Sequence, residues 1–234
     1  MSSIRHFARR AKFSGRDGYT VIEALVMLFA LAILAVLLMP SFSGVRSASR
    51  QIGCSIQLKR IGDGLTKHAE DNNGRHTIAG GLVPWEQIDP ETRKPSWMQQ
   101  VSPYLSSNKD IFAGCGAYPV ASVYHYFLGA RAAYIDSGEK YAAVEREKVR
   151  FPSSFVVTGD NNFNRFRDLG PIEIADADKD DYTFMTQVFS QDDTHWAPQH
   201  DGMLNTAFAD GHVAIFDRFD PDRMTYRYDT MSSY

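Results

Sequence analysis

One continuous apolar run, Ala24 to Met39, dominates the hydrophobic pattern of the chain. From Thr20 to Met39 it holds about the 20 residues a helix needs to cross roughly 30 Å of hydrocarbon, so a transmembrane helix is predicted over residues 19–40. Arg5, Arg9, Arg10, Lys12 and Arg16 precede it. By the positive-inside rule that leader stays cytoplasmic and the remainder of the chain lies outside. A cleaved secretory signal fits less well. The run exceeds the roughly 7–15 apolar residues of such a signal, and it ends in "LLMPSFSG" with no Ala-x-Ala pattern. One residue disagrees with a plain anchor: Glu23 puts a carboxylate at the leading edge of the span, where charge is costly.

Past Pro40 the pattern changes period. Val45, Ala48, Ile52, Ile56, Ile61, Leu65 and Ala69 recur at helical steps and predict one apolar stripe on an amphipathic stem helix over residues 41–73. Gly44, Gly53, Gly62 and Gly64 weaken that helix, each by about 1 kcal/mol against alanine. "DNNG" at 71–74 supplies a stop, with Asn73 or Gly74 suited to left-handed geometry. A single helix from Tyr19 to Asp71 would be about 80 Å long at 1.5 Å per residue. Its first half would serve membrane or filament, and its second half would lie on a head.

Residues 74–234 read as one α+β head, without repeats or a low-complexity linker. "PSWMQQVSPYL" predicts a short helix with Trp97, Val101 and Leu105 on one face. "VYHYFLGA", "SSFVVTGD" and "YTFMTQVFS" read as strands, and "GEKYAAVEREKV" as exposed polar chain. In "LNTAFADGHVAIF" two alternating runs flank Asp210-Gly211, which predicts a hairpin closed by a two-residue type I′ turn. That register puts Leu204, Thr206 and Phe208 on one face with Val213 and Ile215. The tail "MTYRYDTMSSY" reads as a surface arm or a contact with a neighbouring subunit. The expected fold class is therefore α+β: a long N-terminal transmembrane and stem helix packed on a small antiparallel sheet.

Charge narrows the function classes. The net charge of −3 divides into +4 over residues 1–18 and −7 over the rest, leaving no basic surface for nucleic acid outside the leader. The two cysteines, Cys54 and Cys115, form no C-x-x-C, which excludes zinc ribbons and thioredoxin-like motifs. In an oxidising compartment they could pair; two free thiols are the alternative. His200, Asp210 and His212, with His195 nearby, are residue types that bind zinc, and three such ligands plus water would make a hydrolytic site. The weighed alternative is structural, with His200 bonded to the hairpin end and Asp210-Gly211 supplying the turn. "DADKDD" begins like a calcium loop through Asp176, Asp178 and Asp180. It then places Asp181 where the glycine belongs and Gln187 where the bidentate glutamate belongs, so a solvated acidic loop is the competing reading. No nucleophile elbow, P-loop, dinucleotide fingerprint or H-E-x-x-H occurs. Neither an enzyme activity nor a cofactor is expected.

The stretch "GYTVIEALVML" resembles the processing site of type IV pilins and type II secretion pseudopilins. The resemblance implies cleavage by a prepilin peptidase between Gly18 and Tyr19, which removes residues 1–18. N-methylation of Tyr19 would follow, and Glu23 would be the glutamate used in assembly. Pro40 falls where such proteins place a helix-kinking proline, while Tyr19 and Val21 replace the commoner Phe and Leu. A second match joins it. "HDGMLNTAFADG" sets His200 before Asp210-Gly211 as in the H-X9-DG domain of a bacterial pseudopilin-like family. "CSIQLKRIGDGLTKHAEDNNG", "SWMQQVSPYL" and "FPSSFVVTGD" also have counterparts there, although Gln57 replaces an Asn and Gly116 a Pro. The implied function is a structural subunit of a secretion-like or pilus-like assembly at the bacterial inner membrane. Its head would be extracytoplasmic, and its partners would be prepilin peptidase/N-methyltransferase and other pilin-like subunits. The alternatives are a minor pilin that binds a ligand or substrate and a membrane-anchored metallohydrolase.

Overall fold

In a computed structural model the described residues are 19–80, 83–113, 124–160, 203–217 and 220–231, and the side chains of residues 37–47 are outside the description. The chain divides into two units, Met1–Gly44 and Val45–Tyr234, and the boundary falls inside helix α1, Val21–Asp71. In the first unit the described side chains of this helix, Val21 to Val36, are all exposed. Among the described residues no helix is long and apolar enough to cross a membrane. The expected fold class is corrected on that point, and the transmembrane assignment of 19–40 is withdrawn. The helix itself, Val21–Asp71, is long, but its apolar start carries Glu23 and its remainder is rich in polar and charged side chains. The observed architecture is a set of helices with a four-stranded antiparallel sheet.

In the second unit α1 presents Cys54, Leu58, Ile61, Leu65 and Ala69 to the core, at steps of four, three, four and four. The expected stripe had merged two faces. Ile61, Leu65 and Ala69 are buried, whereas Ile52 and Ile56 are 61% and 59% exposed. One of the weakening glycines has a packing reason: a Cβ on Gly64 would stand 3.0 Å from both Val101 Cγ2 and Leu105 Cδ2, whereas one on Gly62 would make an ordinary contact with the Ala207 side chain at 3.6 Å. The helix stops where expected. Asn73 and Gly74 both take positive φ, and the Gly74 amide donates to the Ala69 carbonyl over 2.8 Å.

Helix α2, Trp97–Val101, starts on Ser96, whose hydroxyl accepts the Gln99 amide, and continues as a 3-10 turn over Ser102–Leu105. Its Trp97 and Val101 are buried and Leu105 packs against the same cluster, as the spacing predicted. The sheet runs in the order β1 (Tyr126–Leu128), β2 (Val156–Asp160), β3 (Leu204–Phe208) and β4 (Val213–Phe216). A short helix, α3, Arg131–Asp136, follows β1. Both faces of β2 and β3 are covered. Tyr126, Leu128, Val157 and Ala207 pack with α1 and α2, while Phe127, Val156, Leu204, Phe208 and Phe216 form a second cluster on the opposite face. A bulge between Val156 and Thr158 sets the register of β2 against β3.

That second cluster is closed by the tail, which corrects the expectation of a surface arm. Met224, Thr225 and Tyr226 are fully buried, and the Val156 amide donates to the Thr225 carbonyl over 3.0 Å. Tyr228 stacks on Phe155, and its hydroxyl accepts the Glu145 amide. The segment "GEKYAAVEREKV" is likewise less exposed than expected, because Val144 enters the core. The strand expected at 182–190 lies outside the described residues. Tyr226→Ala removes the largest side chain of the second cluster and is expected to cost about 3–5 kcal/mol by analogy with aromatic-to-alanine core changes. Urea denaturation of the head would show it as a lower midpoint; an unchanged midpoint would mean that the tail does not close the sheet.

Candidate functional site

At the start of α1, Thr20 and Glu23 bond each other reciprocally. The Thr20 amide and hydroxyl donate to Glu23 Oε2 at 2.9 and 3.0 Å, and the Glu23 amide donates to Thr20 Oγ1 at 3.3 Å. This is a capping box, in which each side chain satisfies a backbone donor that the first helical turn leaves without a partner. The signal is present in the sequence as T-x-x-E, at the edge of the apolar run. Glu23 also places a negative charge at the positive end of the helix. Tyr19 is exposed beside this cap, and Gly18 lies outside the described residues.

The Asp-Gly hairpin forms, with a different closure from the one expected. Ala207 pairs with Val213, Thr206 with Ala214 and Leu204 with Phe216. The loop is therefore the three residues Ala209, Asp210 and Gly211. The Gly211 amide donates to the Phe208 carbonyl over 2.9 Å, the Phe208 amide to the His212 carbonyl over 3.0 Å, and Gly211 takes φ +91°. A type I turn followed by a left-handed glycine is the usual three-residue solution. The extra loop residue shifts the register by one, which exchanges faces. Leu204, Thr206 and Phe208 lie with Ala214 and Phe216, while Val213 joins the α1 side and Ile215 is exposed.

Asp210 serves this turn. Its Oδ1 accepts the His212 amide at 3.1 Å and lies 2.6 Å from His212 Nδ1, while the imidazole stacks on Phe208 at 4.4 Å. Among the described residues no group of three metal-ligating side chains converges. His195, His200, Asp176, Asp178 and Asp180 lie outside the described residues, so Asp210 and His212 are the described members of the zinc alternative, and they bond each other.

A polar link between helix and sheet went unpredicted. Asn205 is fully buried near the start of β3, where its amide N–H and Nδ2 donate to Asp160 Oδ2 at 2.9 and 2.8 Å. Its Oδ1 accepts the Ser55 hydroxyl of α1 at 2.5 Å. Nearby, the Tyr126 hydroxyl donates to Gln57 Oε1, and burial together with Asp160 pushes that phenol well above its ordinary pKa. Serine, asparagine and aspartate carry no periodic signal, so pattern reading could not have found the set. Cys54, on the same helix, is disulfide-bonded. Cys115, the chain's other cysteine, lies outside the described residues.

A cleft of about 590 Å³ opens at the C-terminal end of α1, lined in part by His68, His76, Lys94, Gln100 and Glu145. His76 is buried. Burial first, then the Arg146 guanidinium and His68, lower its pKa to about 4. Burial also lowers His68.

With this geometry in place, comparison with known proteins adds no relative: no family model, no curated protein and no solved structure matches the chain.

Two outcomes are expected. A His76 that stays neutral when folded and titrates near 6.5 when unfolded binds fewer protons in the native state between those values. Its stability contribution is complete above about pH 6.5 and is lost as pH falls towards 4, an effect of about 3 kcal/mol at most. Thermal melts from pH 7 to pH 4 should show this fall, and His76→Gln should flatten it; an equal slope in the variant would assign the effect elsewhere. For Cys54, peptide mapping without reductant should recover a Cys54–Cys115 cross-linked peptide. Closing sixty-one positions would restrain the unfolded chain by about 4 kcal/mol on a loop-entropy basis. Reduction should lower the melting temperature accordingly.

Proposed function

We propose that the chain is a pseudopilin-like structural subunit, cut after Gly18, methylated at Tyr19 and assembled through its N-terminal helix with other pilin-like subunits. The observation that carries this reading is the coincidence of three features at one place. The motif "GYTVIEALVML" begins at the candidate cleavage site, α1 starts two residues after Tyr19, and the apolar side chains from Val21 to Val36 are exposed. So long an exposed apolar surface calls for a cover, since soluble monomers rarely leave contiguous patches of that size open. Packing against the same segment of neighbouring copies removes it from water.

The reading places processing at the bacterial inner membrane, with the leader on the cytoplasmic side, the head beyond it and prepilin peptidase/N-methyltransferase as the processing partner. It assigns no enzymatic step to the chain. The buried Asn205 link and the hairpin support it only as parts of a rigid head on which partners could be positioned.

Mass spectrometry of the mature N-terminus is the first test. A chain beginning at N-methylated Tyr19 is expected; an intact Met1, or a cut after residue 40, would overturn the proposal. Glu23 gives a sharper one. Glutamine at the third helical position can also close a capping box, so Glu23→Gln removes the charge and keeps the cap, whereas Glu23→Ala removes both. If assembly uses the charge, both variants should be cleaved yet fail to incorporate. Incorporation of the Gln variant at the wild-type level would confine Glu23 to capping.

A further inference from the structure

We infer that the cleft at the C-terminal end of α1 binds a small organic anion, a carboxylate or a phosphate monoester, between His76 and the rim cations Arg75 and Lys94. The inference is independent of how the chain assembles. His76 is the first observation. Its side chain is 5% exposed and lines the cleft, yet its ring has no hydrogen-bond partner among the described residues. A neutral imidazole has one donor and one acceptor nitrogen, and buried polar groups are ordinarily paired. His68, which lines the same cleft, has a buried Nδ1 that is likewise unpaired. Two idle imidazoles on one opening call for a polar ligand.

Charge selects the sign of that ligand. The carboxylates of the cleft already have donors: the Tyr104 hydroxyl donates to Asp71 Oδ2 over 3.0 Å, and Glu145 pairs with Lys148 over 3.4 Å. Arg75 and Lys94 are exposed at the rim and have no ion pair among the described residues. Deeper in, the charges that bear on His76 are those of Arg146 and His68, and both disfavour its protonation. Arg146 is held only loosely by Glu70, at 3.8 Å. Asp71 acts on His68, where Lys94 opposes it. The carbonyl end of α1 works against an anion, but the His68 and Ala69 carbonyls already accept from Asn72 Nδ2 and the Gly74 amide. The surroundings of His76 are therefore electropositive. Ile78, Ala142 and Ala143 add an apolar wall, and about 590 Å³ admits more than a bare ion. An anion seated there stabilises the imidazolium that burial otherwise resists, so binding takes up a proton at His76.

Titration calorimetry of the full-length chain tests this, with butyrate, butyl phosphate and butanol as probes that differ only in the head group. One butyrate or one butyl phosphate should bind per chain, and butanol should not; the tighter of the two anions identifies the class of ligand. Butyrate, largely ionised throughout, should bind more tightly at about pH 5.5 than at about pH 7.5, by at most about tenfold per pH unit for one proton. His76→Gln should abolish that pH dependence. Lys94→Gln should weaken binding at least about threefold at an unchanged melting temperature, because Lys94 is exposed and its loss leaves the fold intact. No binding of either anion at about 10 mM would overturn the inference. So would butanol binding as well as butyrate, an affinity for butyrate that ignores pH, or equal binding by Lys94→Gln and the wild type.

Discussion

A sheet of four short strands needs apolar cover to be stable, and in the second unit of this chain both faces of the two central strands receive it. β2 and β3 are buried on either side, so their residues alternate between two apolar clusters rather than between core and water. α1 and α2 cover one face, and the tail around Met224 and Tyr226 covers the other. Asn205 lies between these layers and fixes their relation, since it bonds Ser55 of the helix and Asp160 of β2 simultaneously. An apolar residue there would keep the backbone donor to Asp160 but remove Nδ2 from the carboxylate and Oδ1 from the Ser55 hydroxyl, and buried polar groups that lose partners are costly. The polar link therefore contributes alignment, while the surrounding aromatic and aliphatic side chains contribute burial.

At its other end the same helix is closed by local bonds alone. Its first turn is closed by Thr20 and Glu23 without help from the rest of the chain, and the apolar side chains beyond it face outward. A helix end that caps itself can persist while its surface changes surroundings, because its hydrogen bonds are local. The helix glycines differ along the same line: Gly64 allows close packing within the head, Gly62 would hold a Cβ in ordinary contact with Ala207, and Gly53 sits over open space.

How much of this was legible depended on whether a feature is periodic. The helix stop at Asn73-Gly74, the α2 face of Trp97 and Val101, and strands at Tyr126–Leu128 and Val156–Asp160 follow from spacing and turn chemistry. The apolar run at 19–40 was legible as apolar, but its identity as a span does not stand among the described residues. The stem stripe was misphased because Ile52 and Ile56 share the helical period of the core residues without sharing their face. The hairpin turn was misassigned because Asp-Gly suits both a two-residue turn and the last two positions of a three-residue loop. The tail was misread because a polar, tyrosine-rich segment looks exposed until a sheet face needs a lid. Asn205 and Asp160 were invisible for a simpler reason: a buried polar pair is defined by its partners, and partners are not written in local sequence.

Glu23 brings these strands together. Read from the sequence, it is a carboxylate at the costly edge of an apolar run, given a role in assembly by resemblance. In the folded chain it already has three local hydrogen bonds, two accepted by its carboxylate and one donated by its backbone amide. An assembly that recruits the carboxylate must either break the two it accepts or use its remaining lone pairs. Breaking them would reopen the helix start just as the segment is buried, when an unsatisfied Thr20 amide would be most costly. Retaining them costs nothing and leaves Oε1 for an incoming cation. If the chain assembles as proposed, this accounting favours a Glu23 that keeps its cap and adds a partner, with the helix end ordered before the neighbour arrives.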